Sequence, residues 1–393
     1  MRMKTLIQIM KREFIRIADR KTLYLMSIVL PIIVFSIYAL IYKEEIIREI
    51  PVAIFDQDNS AISQKIIEQV ESSSSLRIVK YDFSIDEIKN DFYEGKIQAV
   101  FFIPKNFEID IKSGKSSSVV VYKNSSNLII SNIILKDAST IIKTVSGSVL
   151  LKKIRSKGNN YSKAMNIVNP IRLETAVLYN PNYSYSNYLV PGLIGFTLQL
   201  LIMICSVLVF SSEFTHETFG ELILASNNNA TAIILGKMIP HFLIHFANIL
   251  LIVGILFPIF NIKIYGSILT LIFLYALFVL ASLTIALAIS SIIHDQQFAT
   301  EIAVFYNTPA FIFSGFTFPL WAMPAVHSAI AQIMPFTYFL TASIKAMQMN
   351  LTISYMKNEI IALSLFVIVS VAVIYLAINY QIKKYSRVSE ASL

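Results

Sequence analysis

Residues 302–344 read IAVFYNTPAFIFSGFTFPLWAMPAVHSAIAQIMPFTYFLTASI, 43 consecutive positions without Asp, Glu, Lys or Arg. As a single α-helix, this run would extend for about 65 Å, roughly twice the thickness of the hydrocarbon core of a membrane. We therefore interpret it as one transmembrane helix, at about 299–313, followed by short broken helices at membrane depth. The run is interrupted by one glycine and three prolines, Gly315, Pro319, Pro324 and Pro335.

Five other uncharged stretches are long enough for a transmembrane helix, which needs about 20 apolar residues. Together with the helix at 299–313 they make six crossings, which return the chain to its starting side. Both basic ends then face the cytoplasm, as the positive-inside rule requires. The five stretches are 22–42, about 189–210, 238–262, about 268–289 and 360–382. The basic residues at the two ends are Lys4, Lys11, Arg12, Arg16, Arg20, Lys21, Lys383, Lys384 and Arg387.

The composition favours a membrane protein over other classes. Of 393 residues, 55% are hydrophobic and 15% are charged, whereas soluble domains are about 45–50% apolar and about 25% charged. The net charge of +8 comes from residues that flank the apolar stretches, so nucleic-acid binding is not expected. A cleaved signal peptide is disfavoured because Lys43-Glu44-Glu45 follows the first apolar run without a small-residue cleavage site.

Residues 43–186 have the composition of an ordinary soluble domain, with 19 Lys or Arg and 16 Asp or Glu. Six crossings place this domain outside the cytoplasm. Alternating strands and helices predict a small α/β fold. The predicted strands are 51–55, 76–81, 98–103 and 119–122, and the predicted helices are about 60–71, 85–94 and 127–157. Gly114-Lys115-Ser116 resembles the end of a phosphate-binding loop, but Ile109 stands where that motif needs a glycine.

The loop after the second span carries carboxylates where basic residues are expected. Glu213, Glu217 and Glu221 are four residues apart, which predicts that they share one face of a helix near 211–225. One interpretation is a solvated loop helix. The other is a docking helix whose acidic face, with Thr218, meets a basic groove on a cytoplasmic partner.

Few polar residues in the apolar stretches require a functional explanation. Glu301 is the intramembrane candidate, although it fits the cytoplasmic headgroup level equally well. His241 and His245 are four apart, but a neighbouring general base and a third ligand are missing, so no metal site is expected. We interpret Gln199 and Asn248 as hydrogen-bonding residues between helices.

Residues 1–21 have the pattern of a basic amphipathic helix, with apolar Ile9 and Phe14 opposite Lys11, Arg12 and Arg16. Such a helix lies flat on the inner membrane surface and contacts lipid headgroups. Residues 383–393 are expected to form a cytoplasmic tail.

Several motifs resemble those of the ABC type-2 exporter permeases, in the branch with a large external domain between the first two spans. Residues 314–340 correspond to the external re-entrant segment of that family, where Gly315, Pro319, Met323, Pro324 and Pro335 carry the likeness. The acidic stretch Glu217-Thr-Phe-Gly-Glu221 lacks the arginine found in the family's coupling core. The remaining matching motifs are Lys11-Arg-Glu-Phe14, Asp19-Arg-Lys-Thr-Leu23 with Pro31, Pro51-Val-Ala-Ile-Phe-Asp-Gln-Asp-Asn-Ser60, Gly236-Lys-Met-Ile-Pro240 and Pro335-Phe-Thr-Tyr338.

The resemblance implies a polytopic α-helical membrane protein with six transmembrane helices, a re-entrant helical segment and an inserted extracytoplasmic α/β domain. It implies a permease subunit without ATPase motifs or cofactor, in a bacterial plasma or inner membrane, with both termini cytoplasmic. Cytoplasmic ABC ATPase subunits and a second permease chain would be its partners. The expected substrate is an amphiphile (drug, lipid or glycolipid), because few buried charges could coordinate a hydrophilic ion. The alternative is a membrane-anchored sensor or envelope scaffold whose external domain binds a ligand or peptide.

Overall fold

The protein is described by a computed structural model that covers residues 3–42, 47–81, 84–158, 160–168, 178–180 and 184–391. The chain forms two compact units, a helical unit (Met1–Glu45 with Leu178–Leu393) and an inserted unit (Ile46–Val177). The predicted start of the inserted domain, residue 43, lies outside the described residues.

Two helices precede the inserted unit, α1 (Met3–Asp19) and α2 (Lys21–Ile41). The buried residues of α1 include Ile9 and Ile17, as its amphipathic pattern predicts. Within α2, Leu25–Val29 form a π turn, which is a wider turn than that of an α-helix. Each of the two helices thus has its own packing face.

The inserted unit contains a four-stranded sheet with the strand order β2-β1-β3-β4. β1 is parallel to both neighbours, and β4 pairs antiparallel with β3. In chain order its elements are β1 (Ile50–Asp56), α3 (Ala61–Glu71), β2 (Leu76–Tyr81), α4 (Ile85–Tyr93), β3 (Ala99–Ile103), α5 (Phe107–Ser113), β4 (Val120–Lys123), α6 (Leu128–Arg155) and α7 (Tyr161–Val168). The predicted alternation of strands and helices is therefore confirmed.

The larger of two buried clusters in the inserted unit lies on one face of this sheet. Val52 and Ile54 of β1 and Phe101 of β3 point to that face, because side chains two apart in a strand share a face. They pack with Ile66 of α3 and Ile134 of α6 in one buried cluster. The two helices thus cover one side of the sheet.

The helical unit continues after the inserted unit. Its central helix is α11 (Ile268–Ile292). It packs against α8 (Tyr185–Thr215), α10 (Ala230–Ile259), α14 (Pro335–Met347) and α15 (Lys357–Ala391). At the contact between α11 and α14, the rings of Phe278 and Phe339 stack with centroids 4.1 Å apart. The other helices are α9 (Phe219–Ser226), α12 (Gln296–Phe313) and α13 (Ala325–Gln332).

Among the described residues, five helices are long and apolar enough to cross a membrane. They are Lys21–Ile41, Ser186–Thr215, Ala230–Ile259, Ile268–Ile292 and Ile353–Ser386. The predicted sixth span corresponds to α12, which is 18 residues long. Its first turns carry Gln296, Gln297 and Glu301, which lower its hydropathy. The count of six crossings therefore stays a prediction.

The uncharged run is broken into short helices, as its prolines predict. α12 ends at Phe313, and Gly315 then turns the chain with a φ of +93°, a conformation that glycine adopts without steric cost. Pro335 stands at the first position of α14, where its missing N–H is not needed. The depth of this segment in a membrane stays a prediction.

Candidate functional site

A cluster of buried charges joins α1, α8 and α10, with Lys237 of α10 at its centre. The Lys237 side chain has no exposed surface. Its Nζ donates to Oε2 of Glu13 at 2.7 Å and to Oε1 of Glu213 at 2.6 Å. Because a buried ammonium is costly without partners, these two carboxylates are what allows the lysine to lie there.

Two arginines of α1 reach the same carboxylate at the end of α8. Arg12 donates to both oxygens of Glu213, at 3.0 and 3.1 Å. Arg16 donates to Oε1 of Glu213 at 2.8 Å, and also to the carbonyl oxygens of Leu208 and Val209. Cations near the C-terminal end of a helix are favoured by the helix dipole. The arginines therefore bind both the charged group and the backbone of α8.

Within the described residues, two buried carboxylates, Glu13 and Glu213, face one buried cation, Lys237, and two half-buried cations, Arg12 and Arg16. A third carboxylate, Glu221, lies 3.6 Å from Arg12 and is exposed. Removing one member of a buried ion pair typically costs about 3–5 kcal/mol. The cluster therefore makes the contact among the three helices specific, and removing any one of its buried charges should destabilise that contact.

Glu13 was not predicted to be functional, yet it is the carboxylate that α1 contributes to the cluster. It is 1% exposed, and His241 Nε2 lies 3.0 Å from its Oε1. Burial by itself would raise the pKa of Glu13, but Lys237 and Arg16 outweigh burial and hold the pKa well below its usual range. The available sequence signal is its position, four residues from Ile9 on the apolar side of α1.

The close approach of α1 to α10 depends on Gly236. A Cβ on this residue would lie 2.5 Å from Cγ2 of Ile9, so a larger residue would push α1 away. Ile9 and Glu13 are one turn apart, and Gly236 and Lys237 are adjacent. The glycine therefore allows the distance at which the ion pair between Glu13 and Lys237 forms.

Residues 21–379 match the sequence model of the ABC-2 family transporter proteins. The chain belongs to this family. Over 338 residues it is 22% identical to the probable multidrug ABC transporter permease YbhR of Escherichia coli K12, which covers 86% of this chain and 87% of YbhR. With five candidate spans, this member of a transporter family is a multi-pass membrane protein.

Two further relatives match shorter parts of the chain. The probable multidrug ABC transporter permease YbhS of Escherichia coli K12 is 30% identical over 174 residues, 44% of this chain and 45% of YbhS. The match therefore spans less than half the length of that relative. The uncharacterized protein MJ1024 of Methanocaldococcus jannaschii is 27% identical over 245 residues, 60% of this chain and 56% of MJ1024.

In this ABC-2 family member Glu213, Glu217 and Glu221 do not share one helical face, so the prediction of a shared face is wrong. Their role in coupling to an ATPase stays a prediction. α8 ends at Thr215, and Glu217 then adopts a left-handed conformation with a φ of +57°. This turn separates Glu213, which is buried in the cluster, from Glu217 and Glu221, which are exposed. Thr218 donates its hydroxyl to Glu213. A partner can therefore reach Glu217 and Glu221, while Glu213 and Thr218 face inward.

The predicted re-entrant residues lie in turns and at helix ends. Pro319 and Pro324 occupy the positions before the 3₁₀ turn Leu320–Ala322 and before α13, and Met323 lies between that turn and α13. Broken helices leave backbone carbonyls without helical partners. Three tyrosine hydroxyls bind such carbonyls: Tyr188 binds that of Phe316 at 3.2 Å, Tyr306 that of Ile333 at 2.6 Å, and Tyr338 that of Gln332 at 3.1 Å.

Glu301 lies on an exposed face of α12, where Nε2 of Gln297 donates to its Oε1 at 3.0 Å. An open hollow of about 800 Å³ runs along this face and reaches Leu208 and Pro309. By contrast, the buried side of α12 is held by Gln199 of α8, whose Nε2 donates to Oδ1 of Asn307 at 2.7 Å. The role of Glu301 stays a prediction.

The prediction that Gln199 and Asn248 bind neighbouring helices is confirmed. Asn248 of α10 donates through its Nδ2 to the carbonyl oxygen of Ser27 at 2.7 Å. Ser27 belongs to the π turn of α2. The Asn248 amide thus donates a hydrogen bond to a carbonyl oxygen in the π turn and joins the first and third candidate spans.

Proposed function

We propose that the chain is the transmembrane permease subunit of an ATP-driven ABC exporter that moves an amphiphilic substrate (drug, lipid or glycolipid) outward. Separate cytoplasmic ABC ATPase subunits supply the energy. The observation that carries the proposal is the buried charge cluster beside an exposed acidic turn, in a chain of the ABC-2 family.

The cluster provides a path for force from the acidic turn to the spans. A partner that presses on Glu217 and Glu221 displaces the turn between α8 and α9. Because Glu213 is bound to Arg12, Arg16 and Lys237, α1 and α10 must move with the end of α8. The three helices then tilt as one body, which is how ATP-driven closure of the ATPases would open the pathway.

The exposed face of α12 is an argument for a second permease chain in the transporter. Phe298, Glu301, Phe305, Thr308 and Ile312 recur at intervals of three and four, so they form one stripe, and all five are exposed. An ionisable side chain on a lipid-facing stripe is costly, so such residues normally face protein or a water-filled cavity. A second permease chain, identical or related, would cover this stripe and enclose the pathway.

Copurification tests the proposal. The chain is expressed with the ATPase encoded beside it and purified in detergent through a tag on the permease, and the recovered ATPase is measured. Glu217→Lys combined with Glu221→Lys should lower this recovery by about tenfold or more, because like charges brought face to face in an interface cost several kcal/mol. The effect of Glu217→Lys alone is easier to interpret than that of Glu221→Lys, because Glu221 also lies near Arg12 of the cluster.

Glu68→Lys is the matched control, because it reverses an exposed carboxylate in the inserted unit. It should leave ATPase recovery unchanged. If the unaltered chain recovers no ATPase and its acidic turn is cut freely by protease, the permease proposal is wrong. Normal recovery with both lysines in place would show that the partner contacts another surface.

A further inference from the structure

A cavity of about 600 Å³ lies in the inserted unit, between α3, α5, α6 and the loop after α5. Ligand pockets in proteins typically measure about 300–1,000 Å³. The floor of the cavity is apolar: Ile66, Phe107 and Val145 are buried, and Ile111 and Val149 are half-buried. A floor of this kind fits an alkyl chain or a flat apolar ring system.

The rim of the same cavity is cationic and rich in hydroxyls. Lys115, Lys153 and Ser116–Ser118 all line it. Nζ of Lys153 lies 4.0 Å from the point that a Cβ on Gly114 would occupy, so the ammonium lies against the loop. Within the described residues, Lys153 forms no ion pair. Its positive charge is therefore available to a ligand.

The geometry of the loop brings these groups to the cavity. Gly114 ends α5 with a φ of +86°, and its N–H bonds to the carbonyl oxygen of Ile111 at 3.1 Å. The next N–H, of Lys115, bonds to the carbonyl oxygen of Asp110 at 2.9 Å. Asp110 is also the nearest counter-ion of Lys115, with its Oδ1 at 4.0 Å from Nζ, the outer limit of an ion pair. This is the segment that resembles the end of a phosphate-binding loop.

We propose that this cavity binds an amphiphile with an anionic head group. The apolar part lies on the floor formed by Ile66, Phe107 and Val145, and the head group lies between the ammonium groups of Lys115 and Lys153 and the serine hydroxyls. Charge-assisted hydrogen bonds suit a phosphate or carboxylate. The inference deepens the proposed export function by narrowing its amphiphilic substrate class to amphiphiles with an anionic head group, and it rests on that function only for what happens after binding.

Photo-crosslinking of the full chain tests this site. The permease is placed in phosphatidylcholine nanodiscs without its ATPase and irradiated with decyl phosphate that carries a diazirine at the end of its alkyl chain. Peptides are then identified by mass spectrometry. The label should appear on 107–113 or 139–150, and an excess of unlabelled decyl phosphate should remove it. Decyl maltoside and inorganic phosphate at the same concentration should compete at least about tenfold less well, because each satisfies only one half of the site.

Variants separate the two halves of the site. Lys115→Glu with Lys153→Glu should lower labelling at least about tenfold, and Val149→Trp should lower it by filling the cavity. Lys143→Glu replaces an exposed lysine of α6, the helix that carries Lys153, and Lys143 does not line the cavity. This variant should leave labelling unchanged. Both lysines of the rim are exposed, so their replacement should preserve folding, which thermal unfolding checks.

Three results would overturn the site: equal labelling of the double-lysine variant, equal competition by decyl maltoside, or equal competition by inorganic phosphate. Copurification with the ATPase is measured on the same samples. Loss of labelling specificity with normal ATPase recovery refutes the site and leaves the export function in place. Specific labelling without ATPase recovery refutes the export function and leaves the site.

Discussion

The charge cluster and the broken segment after α12 both join helix ends, but they use different chemistry. In the cluster, Glu13, Glu213 and Lys237 are almost completely buried and carry full charges. In the broken segment, neutral hydroxyls of Tyr306 and Tyr338 bind backbone carbonyls near the surface. A charged group without a partner is far more costly in a buried place than a neutral one. The cluster therefore holds its three helices together strongly, whereas the broken segment is held by weak contacts that can be lost one at a time.

The largest expected effect comes from Lys237→Met. It removes the fully buried cation that lies 2.7 Å from Glu13 and 2.6 Å from Glu213, so it should lower the free energy of unfolding by about 3–5 kcal/mol. Thermal unfolding of the purified permease in detergent measures this. Lys357→Met, which replaces an exposed lysine, is the control and should change little.

A combined variant sharpens the same test. Adding Glu13→Gln to Lys237→Met removes one carboxylate together with the cation that bound it and leaves Glu213 paired with Arg12 and Arg16, so much of the lost stability should return. ATPase recovery of this double variant should stay normal, but ATP-driven transport should fall because charge no longer joins α10 to α1 and α8. If Lys237→Met has the same unfolding temperature as the unaltered chain, the cluster does not hold α1, α8 and α10 together as proposed.

An intermediate effect is expected at the amide pair between α8 and α12. Gln199→Leu removes a buried hydrogen bond to Asn307, and such bonds between membrane helices contribute about 0.6 kcal/mol on average and about 1.7 kcal/mol at most. Asn307→Leu should cost a similar amount. The double variant should cost less than the sum of the two single variants, measured by thermal unfolding. Strict additivity would show that the pair is not coupled.

The smallest effect is expected from Tyr306→Phe, which removes the hydroxyl bound to the carbonyl of Ile333. A neutral hydrogen bond contributes about 0.5–1.5 kcal/mol, but this one is exposed and water can replace it, so the global unfolding temperature should hardly move. Hydrogen exchange should instead become faster in 325–334. Tyr375→Phe is the control, because its hydroxyl makes no hydrogen bond within the described residues. Equal exchange in both variants would contradict a local role for Tyr306.

Most elements of the inserted unit could be predicted because their signals are local. The short apolar run at 51–55 predicts a buried strand, and a second strand is predicted at 76–81; the structure has Ile50–Asp56 and Leu76–Tyr81. α5 was missed, because its seven residues alternate Phe, Glu, Ile, Asp and Ile, a strand-like period rather than a helical one.

The charge cluster could not be predicted from the sequence, because its members lie far apart along the chain. Glu13 and Lys237 are separated by 224 positions, and Arg12 and Glu213 by 201. The turn at Glu217 was missed for a different reason. A left-handed conformation is uncommon for a residue with a Cβ, and the spacing of four from Glu213 is the same whether or not the helix continues.

The π turn at Leu25–Val29 has a consequence for the orientation of the first candidate span. One additional residue in a turn rotates all later side chains by about 100° around the helix axis, since an α-helix has about 3.6 residues per turn. Phe35 and Ala39, which follow the turn, are buried. In a regular α-helix of the same sequence these two side chains would point elsewhere. Deleting one residue within the π turn would therefore restore α-helical geometry and keep their orientation. It would also remove the hydrogen bond that Asn248 donates to the carbonyl oxygen of Ser27.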